Sequence, residues 1–305
     1  MEFSGLKELD DTHLALLSLF LNPRPLDLGT WQEIWSNALN RSYKSIIDDF
    51  IRHGILKEAN TEQKLSASLR VSDLKQILKE HDLRVSGKKE ELISCLVENL
   101  PDEAEKFASS KSNIYICTEL GSAIANEYKN KADLRRQNAE EEVKILLKQN
   151  KITEAAEIIN AFIKSLPSPM AHEGAMPSDA QAILEINSIS GITKEELDTI
   201  KLEAATSAIW GKGIRGPKPF LSEAYKRMFR KSALSSLKSY KEAGLKEVTI
   251  IAAIDSCPTC MAASDKNYEI DKELLSPTLP IKECTHEIGW CRCCYAPWNE
   301  DWAKG

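Results

Sequence analysis

The placement of the cysteines most narrows what this chain can fold into. Of eight, only Cys95 and Cys117 lie outside the stretch from residue 257 to the end, which holds Cys257, Cys260, Cys284, Cys291, Cys293 and Cys294. The pattern reads C-x2-C, then a gap of 23 residues, then C-x-H-x4-C-x-C-C. Two thiolates at C-x2-C spacing on a turn form half of a metal knuckle, and Pro258 stiffens that turn. A second group drawn from Cys284–Cys293 closes a tetrahedron. The expected ligands are Cys257, Cys260, Cys284 and either Cys291 or Cys293, with His286 competing for the fourth place. Seven candidate groups exceed the needs of one zinc, and two zincs would require an eighth group or a bridging thiolate. The expected cofactor is structural Zn2+, because four protein ligands leave no position open for a catalytic water. Disulfides, and free buried or redox-active thiols, are the alternatives. A loop-rich segment carrying Pro277, Pro280 and Pro297 needs such a staple to hold together. Arg292 and Lys282 stand close enough in sequence to neutralise part of a thiolate-rich site.

The rest of the 305 residues have ordinary soluble, globular composition, 42% hydrophobic and 28% charged, enough for two to three domains. Forty Lys and Arg against 46 Asp and Glu leave a net charge of −6. That balance excludes a uniformly basic, histone-like coat but leaves room for a local basic surface. The start, MEFSGLKELDD, has neither the cationic nor the apolar region of a signal peptide. The longest apolar stretches, Leu14–Leu21 and Val248–Ile254, are too short to span a bilayer. The expectation is a cytoplasmic protein with no membrane partner, where thiols stay reduced and a cysteine cluster binds metal.

Apolar spacing predicts a mainly α, multi-domain chain. Residues 1–65 read as an N-terminal helical region, with a helix capped at Ser42, ended at Gly54, and a linker over Glu58–Ser68. A two-helix module occupies 66–101, a helical hairpin region 102–166 and a linker 167–190. Residues 191–246 form a further helical region with a basic loop and helix. A small α+β cysteine-rich module fills 247–305, led by the strand-like run VTIIAAID at Val248–Asp255.

Within the two-helix module, Leu74, Ile77 and Leu78 line one helical face, and Leu92, Ile93, Leu96 and Val97 line another. The order LRVSDLKQILKEHDLRVSGKKEELISCL closely resembles the SAP family in its leading leucine, Asp-Leu-Lys opening, Leu83, Gly87-Lys88 and terminal Glu-Leu-Ile. The resemblance implies a helix–link–helix module that binds double-stranded DNA, often A/T-rich. A physical route is available, because a second helix beginning at Ser86, Gly87 and Lys88 points free N–H groups and its positive dipole end at a phosphate. Lys88 and Lys89 add charge, with Arg84, Lys75 and Lys79 as flanking contacts. Six cations against five acids over residues 69–96 leave only +1, so a protein-contact or structural role is the alternative. The chain as a whole is similar to bacterial, prophage-type SAP-containing proteins. Around this module, Ser42–Glu58 and Asn113–Tyr128 are similar to the recognition-helix and strand–turn–helix pieces of winged-helix regulators.

Residues 211–246 carry ten Lys and Arg and two acids, a net of +8. Gly211–Gly216 spells G-x-G-x-x-G, but no strand precedes it and Pro217 follows, so it is no dinucleotide fingerprint. Helical spacing gathers Lys226, Arg227, Arg230 and Lys231 into a basic flank suited to a polyanion.

The C-terminal segment is also similar to phage head-morphogenesis (minor head) proteins at Cys257-Pro258-Thr259-Cys260, Asp265-Lys266, Tyr268, Pro280 and Cys291-Arg292-Cys293. It departs from them at Cys284-Thr285-His286 and Trp290. That resemblance implies the alternative role, an assembly protein that binds a protein partner. An enzyme has little support. Five histidines (13, 53, 81, 172, 286) form no paired-histidine or nucleophile-elbow pattern. The expected function is therefore non-enzymatic DNA binding with a zinc-stapled end.

Overall fold

The computed structural model describes residues 9–110, 113–170, 174–264 and 266–298. The fold is mainly α and divides into two compact units, Met1–Gln137 with Lys164–Ala171, and Asn138–Ile163 with His172–Gly305.

The first unit opens with α1 (Asp11–Ser18), whose N-terminal amides at Thr12 and His13 donate to the Asp10 carboxylate at 2.9 Å each. Then come β1 (Arg24–Pro25), α2 (Trp31–Ala38), α3 (Tyr43–Arg52) and β2 (Leu56–Glu58). Spacing on α3 buries Tyr43, Ile46, Ile47 and Phe50 against Leu16, Leu17, Phe20 and Trp35. Gly54, at φ +67°, ends the helix in the left-handed region. Ser42 precedes α3 but makes no side-chain cap bond.

Four helices follow before the sheet resumes: α4 (Thr61–Ser68), α5 (Val71–Glu80), α6 (Lys89–Asn99) and α7 (Pro101–Ser109). Next come β3 (Ile114–Cys117) and α8 (Glu119–Lys148). Strand β3 lies between β1 and β2, antiparallel to both, with Cys117 opposite Leu56 and Ile114 opposite Pro25. The block α4–α7 is thus an excursion between two paired strands. It has its own core of Leu65, Leu74, Leu78, Leu92, Ile93, Leu96 and Ala104. The stretch Glu58–Ser68, expected to be a linker, includes α4, which is capped reciprocally by Asn60 and Gln63. The physical reason is core size. Two short helices cover too little apolar surface, and α4 and α7 add Leu65 and Ala104.

The second unit packs the C-terminal part of α8 against α9 (Ile152–Ser165), α10 (Pro177–Leu184), α11 (Lys194–Ile209) and α12 (Lys218–Glu242). The stretch 167–190, expected to be a linker, contains α10. Ala180, Ile183 and Ile186 are buried with Val143, Ile159, Ala205 and Phe220. Short windows rich in alanine and proline carry a weak helical period, yet small side chains let helices approach closely.

Beyond α12, β4 (Glu247–Ile251) is the middle strand of an antiparallel sheet, flanked by β5 (Asn267–Glu269) and β6 (Cys294–Pro297). Two short helices, α13 (Pro258–Ala263) and α14 (Ile270–Leu275), complete the module. Val248 and Ile250 alternate inward and join Ala233 and Leu237 of α12, Ile281, Tyr295 and four cysteines in one core. A buried carboxylate fixes the turn after α14. Glu273 accepts from the Thr278 amide at 2.7 Å, the Thr278 hydroxyl at 2.9 Å and the Tyr295 hydroxyl. The Leu279 amide donates to the same Tyr295 oxygen at 3.1 Å.

No helix among the described residues is long and apolar enough to cross a membrane. Tyr295→Phe leaves Glu273 and the Leu279 amide short of a partner inside the core. A loss of about 1–3 kcal/mol is expected, read as faster hydrogen exchange at the β4 and β6 amides.

Candidate nucleic-acid interface and metal centre

The link between α5 and α6 carries the residues that the sequence singled out for phosphate contact. Arg84, Ser86, Gly87 and Lys88 are exposed there, and Lys75 and Lys79 are exposed on α5. Lys88 occupies the N-cap of α6 in extended conformation, and no side chain caps the helix. The first-turn N–H groups of α6 are therefore open to an anion. Gly87 has φ +137°, a backbone conformation that favours glycine, and a β-carbon there would also push the flexible Glu91 carboxylate aside. The Arg84 guanidinium donates to Ser86 Oγ at 3.1 Å and faces Glu91 at 3.8 Å. Lys89 is separate from this group. It is half-buried and donates to the Ser66 carbonyl at 2.6 Å, tying α6 to the end of α4.

At the other end of the chain, β4 and the turn after it deliver Cys257 to the N-cap of α13. Pro258 fills the first helical position, which has no N–H to lose. The Cys257 thiol is held down at about 6, chiefly by the backbone N–H groups of Cys260 and Thr285 pointing at its sulfur. Cys260, in the first turn, is pushed the other way by burial and by the neighbouring thiols. Burial likewise raises Cys291, although the amides of Ile281 and Cys293 donate to it.

Two groups of three thiols could each hold a metal ion: Cys257, Cys260 and Cys284, and Cys260, Cys291 and Cys293. Within each group the sulfurs lie inside 4.8 Å of one another, and Cys260 belongs to both. Cys257 and Cys284 are 4.0 Å apart, and Cys260 and Cys291 are 3.8 Å apart. A tetrahedral ion with metal–sulfur bonds of about 2.3 Å sets its sulfurs about 3.8 Å apart, so the Cys257–Cys284 and Cys260–Cys291 separations are each of the size a thiolate-bound ion needs. Such a separation is nearly twice a disulfide bond of about 2.05 Å.

His286, expected to compete as a fourth ligand, stands outside both groups. Its Nε2 faces Asp255 at 3.2 Å and Arg292 at 3.3 Å, and its Nδ1 accepts the Ile288 amide at 3.2 Å. Arg292 pairs with Asp255 rather than with a thiolate, and holds that carboxyl below its ordinary range. Cys294 is exposed on β6. Asp265 lies outside the described residues. The loop between Cys284 and Cys291 is clamped to α12, with Ser222 Oγ donating to the Gly289 carbonyl at 2.6 Å and Trp290 stacked on Tyr225 at 4.4 Å.

The basic segment is less free than its composition implies. Arg227 is paired with Glu223 at 2.6 Å and Lys231 with Glu185 at 3.2 Å. Lys212 bonds Glu140 at 2.6 Å, and Lys218 donates to the Glu287 carbonyl at 3.2 Å. Lys226 and Arg230 face an open cleft that also receives Lys282.

The SAP domain family matches residues 66–99. Residues 66–99 are a SAP domain. No curated protein and no solved structure matches the chain, and no relative supports the head-morphogenesis likeness of its end. A SAP domain points to nucleic-acid binding. In this one the N-terminus of α6 has no side-chain cap and carries exposed Lys88, with Glu90 and Glu91 in the same first turn. Lys89 is instead structural.

Sequence spacing alone missed Asp255 as the partner of His286, and Lys282 as a neighbour of the α12 cations. The single thiol common to both metal groups is Cys260. On Co2+ titration, thiolate-to-metal charge-transfer absorption is expected for the full chain and for Cys294→Ser. It is expected to be lost or strongly weakened in Cys260→Ser.

Proposed function

We propose that this chain is a non-enzymatic DNA-binding protein. Its SAP domain grips duplex DNA, the cationic face of α12 adds a further contact, and a structural zinc closes the cysteine-rich end. The observation that carries this reading is the SAP domain at residues 66–99, with an uncapped helix N-terminus beside exposed Lys88. Backbone amides and a helix dipole recognise phosphate without reading bases, so affinity is modest and falls with salt. Preference for A/T-rich duplex would come from groove shape. The order α1, β1, α2, α3, β2, β3, with β3 between β1 and β2, supports a winged-helix-like scaffold in which the SAP-containing block occupies the place of the wing.

Zinc is the metal best suited to an all-thiolate tetrahedron. Cys257, Cys260, Cys284 and Cys291 would hold it, with Cys293 the alternative to Cys291. Its contribution is cross-linking: it ties α13, the 281–291 loop and the start of β6 into one module. Thiolate ligands require reduced cysteines, which fits a cytoplasmic setting.

Fluorescence anisotropy with A/T-rich and G/C-rich duplexes across a salt series tests the DNA reading. The expected plot of log K against log salt is linear. Lys88→Ala and Lys79→Ala each weaken binding to both duplexes and lower the slope by about 1. Absence of binding to either duplex at low salt overturns it, and a stably co-purifying protein partner in that case favours the assembly role. Metal analysis of purified protein should give about one zinc per chain. A folded, metal-free sample refutes the staple.

A further inference from the structure

We propose that the cleft between α12 and the Pro280–Lys282 segment is a second nucleic-acid site, one that grips the phosphates of a single strand. This rests on the nucleic-acid reading above but uses residues remote in sequence from the SAP domain. The cleft has a volume of about 540 Å³, within the range of a pocket that takes a nucleotide-sized group. Its α12 wall presents Lys226 and Arg230, and its opposite wall presents Lys282. The two carboxylates that line it, Glu223 and Glu185, are already engaged by Arg227 and Lys231. Lys226, Arg230 and Lys282 therefore give the cleft an unneutralised charge of about +3.

Three features favour a strand over a small phosphorylated metabolite. The cleft is open, so a chain can enter and leave it. Its floor is apolar, with Leu234, Pro280 and Ile281 available to a sugar or base face. Lys238, exposed one turn beyond Leu234, carries positive charge farther along α12, outside the cleft lining. Lys226 and Lys238 lie about 18 Å apart along the axis of α12 and about 120° apart around it, a path that a flexible single strand can follow.

The far wall is positioned by the cysteine centre. Ile281 is buried in one core with Cys257, Cys260, Cys291 and Cys293. The Cys284 amide donates to the Ile281 carbonyl at 3.3 Å, and the Ile281 amide donates to the Cys291 sulfur. Lys282 is thus delivered to the cleft by a backbone that the thiols anchor.

The test uses the whole 305-residue chain as purified and a fluorescein-labelled 20-nucleotide single strand, with the matching duplex alongside. Three proteins are compared: wild type, Lys226→Glu/Arg230→Glu/Lys282→Glu, and Lys129→Glu/Lys151→Glu/Lys194→Glu. The last reverses three exposed lysines that line no part of the cleft. The cleft variant is expected to bind the single strand at least about tenfold more weakly than the control. Its salt slope is expected to fall by about 2. If charge reversal disturbs folding, as judged by circular dichroism and metal content, the Lys226→Gln/Arg230→Gln/Lys282→Gln variant should show the same loss in smaller measure. Cleft and control variants with superimposable single-strand curves overturn the cleft while leaving the SAP reading standing. A wild type that binds neither probe at low salt overturns both. Loss of duplex binding alone, with single-strand affinity intact, also overturns the cleft as a strand site.

Discussion

The C-terminal third of the second unit depends on the convergence of its thiols. Between Ile251 and Cys294 the described residues form two six-residue helices and a three-residue strand, which bury little surface by themselves. Sulfurs from three separate turns meet around Cys260, and each belongs to a backbone that carries something else. The turn at Cys257 follows β4, the segment before Cys284 carries Lys282, and the loop before Cys291 carries Trp290 onto α12. A metal ion held there would cross-link these turns, as structural ions do in loop-rich chains. The Glu273–Tyr295 network fixes the Thr278–Leu279 turn from the opposite side.

Charge is the second organising constraint, and the structure redistributes it. A net of −6 for the chain and +8 for residues 211–246 are both poor guides to a binding surface. Arg227, Lys231, Lys212, Lys218 and Lys241 are engaged by carboxylates or a carbonyl within the protein. Two groups of cations stay concentrated: Lys226, Arg230 and Lys282 around one cleft, and Lys75, Lys79, Arg84 and Lys88 exposed on and around the SAP link. A polyanion responds to such local potentials rather than to net charge.

The SAP domain was legible because its signal is local. Leu74 and Leu78, then Leu92, Ile93 and Leu96, repeat at helical spacing on either side of a glycine that the turn demands. Strand β4 was legible for the same reason, its Val248 and Ile250 alternating inward. The helices taken for linkers were not. Helix α4 has one buried leucine, and α10 is rich in alanine and proline, so neither shows a strong period on its own. Lys89 read as a phosphate contact because it adjoins Lys88 at the helix start, and only the position of Ser66 shows its ammonium to be engaged.

The sequence by itself determined the kinds of chemistry available. Thiols in numbers and spacing point to metal, glycine and lysine at a helix start suit phosphate, and apolar periodicity specifies helices. Those are properties of residue type and short-range order. Tertiary structure alone decided which groups meet. It placed Cys260 between two sets of thiols, turned His286 away toward Asp255 and Arg292, and set Lys282 across a cleft from Lys226 and Arg230. Each of those meetings joins residues that no local period relates. They depend on how α12, β4 and the cysteine-bearing turns pack into one core.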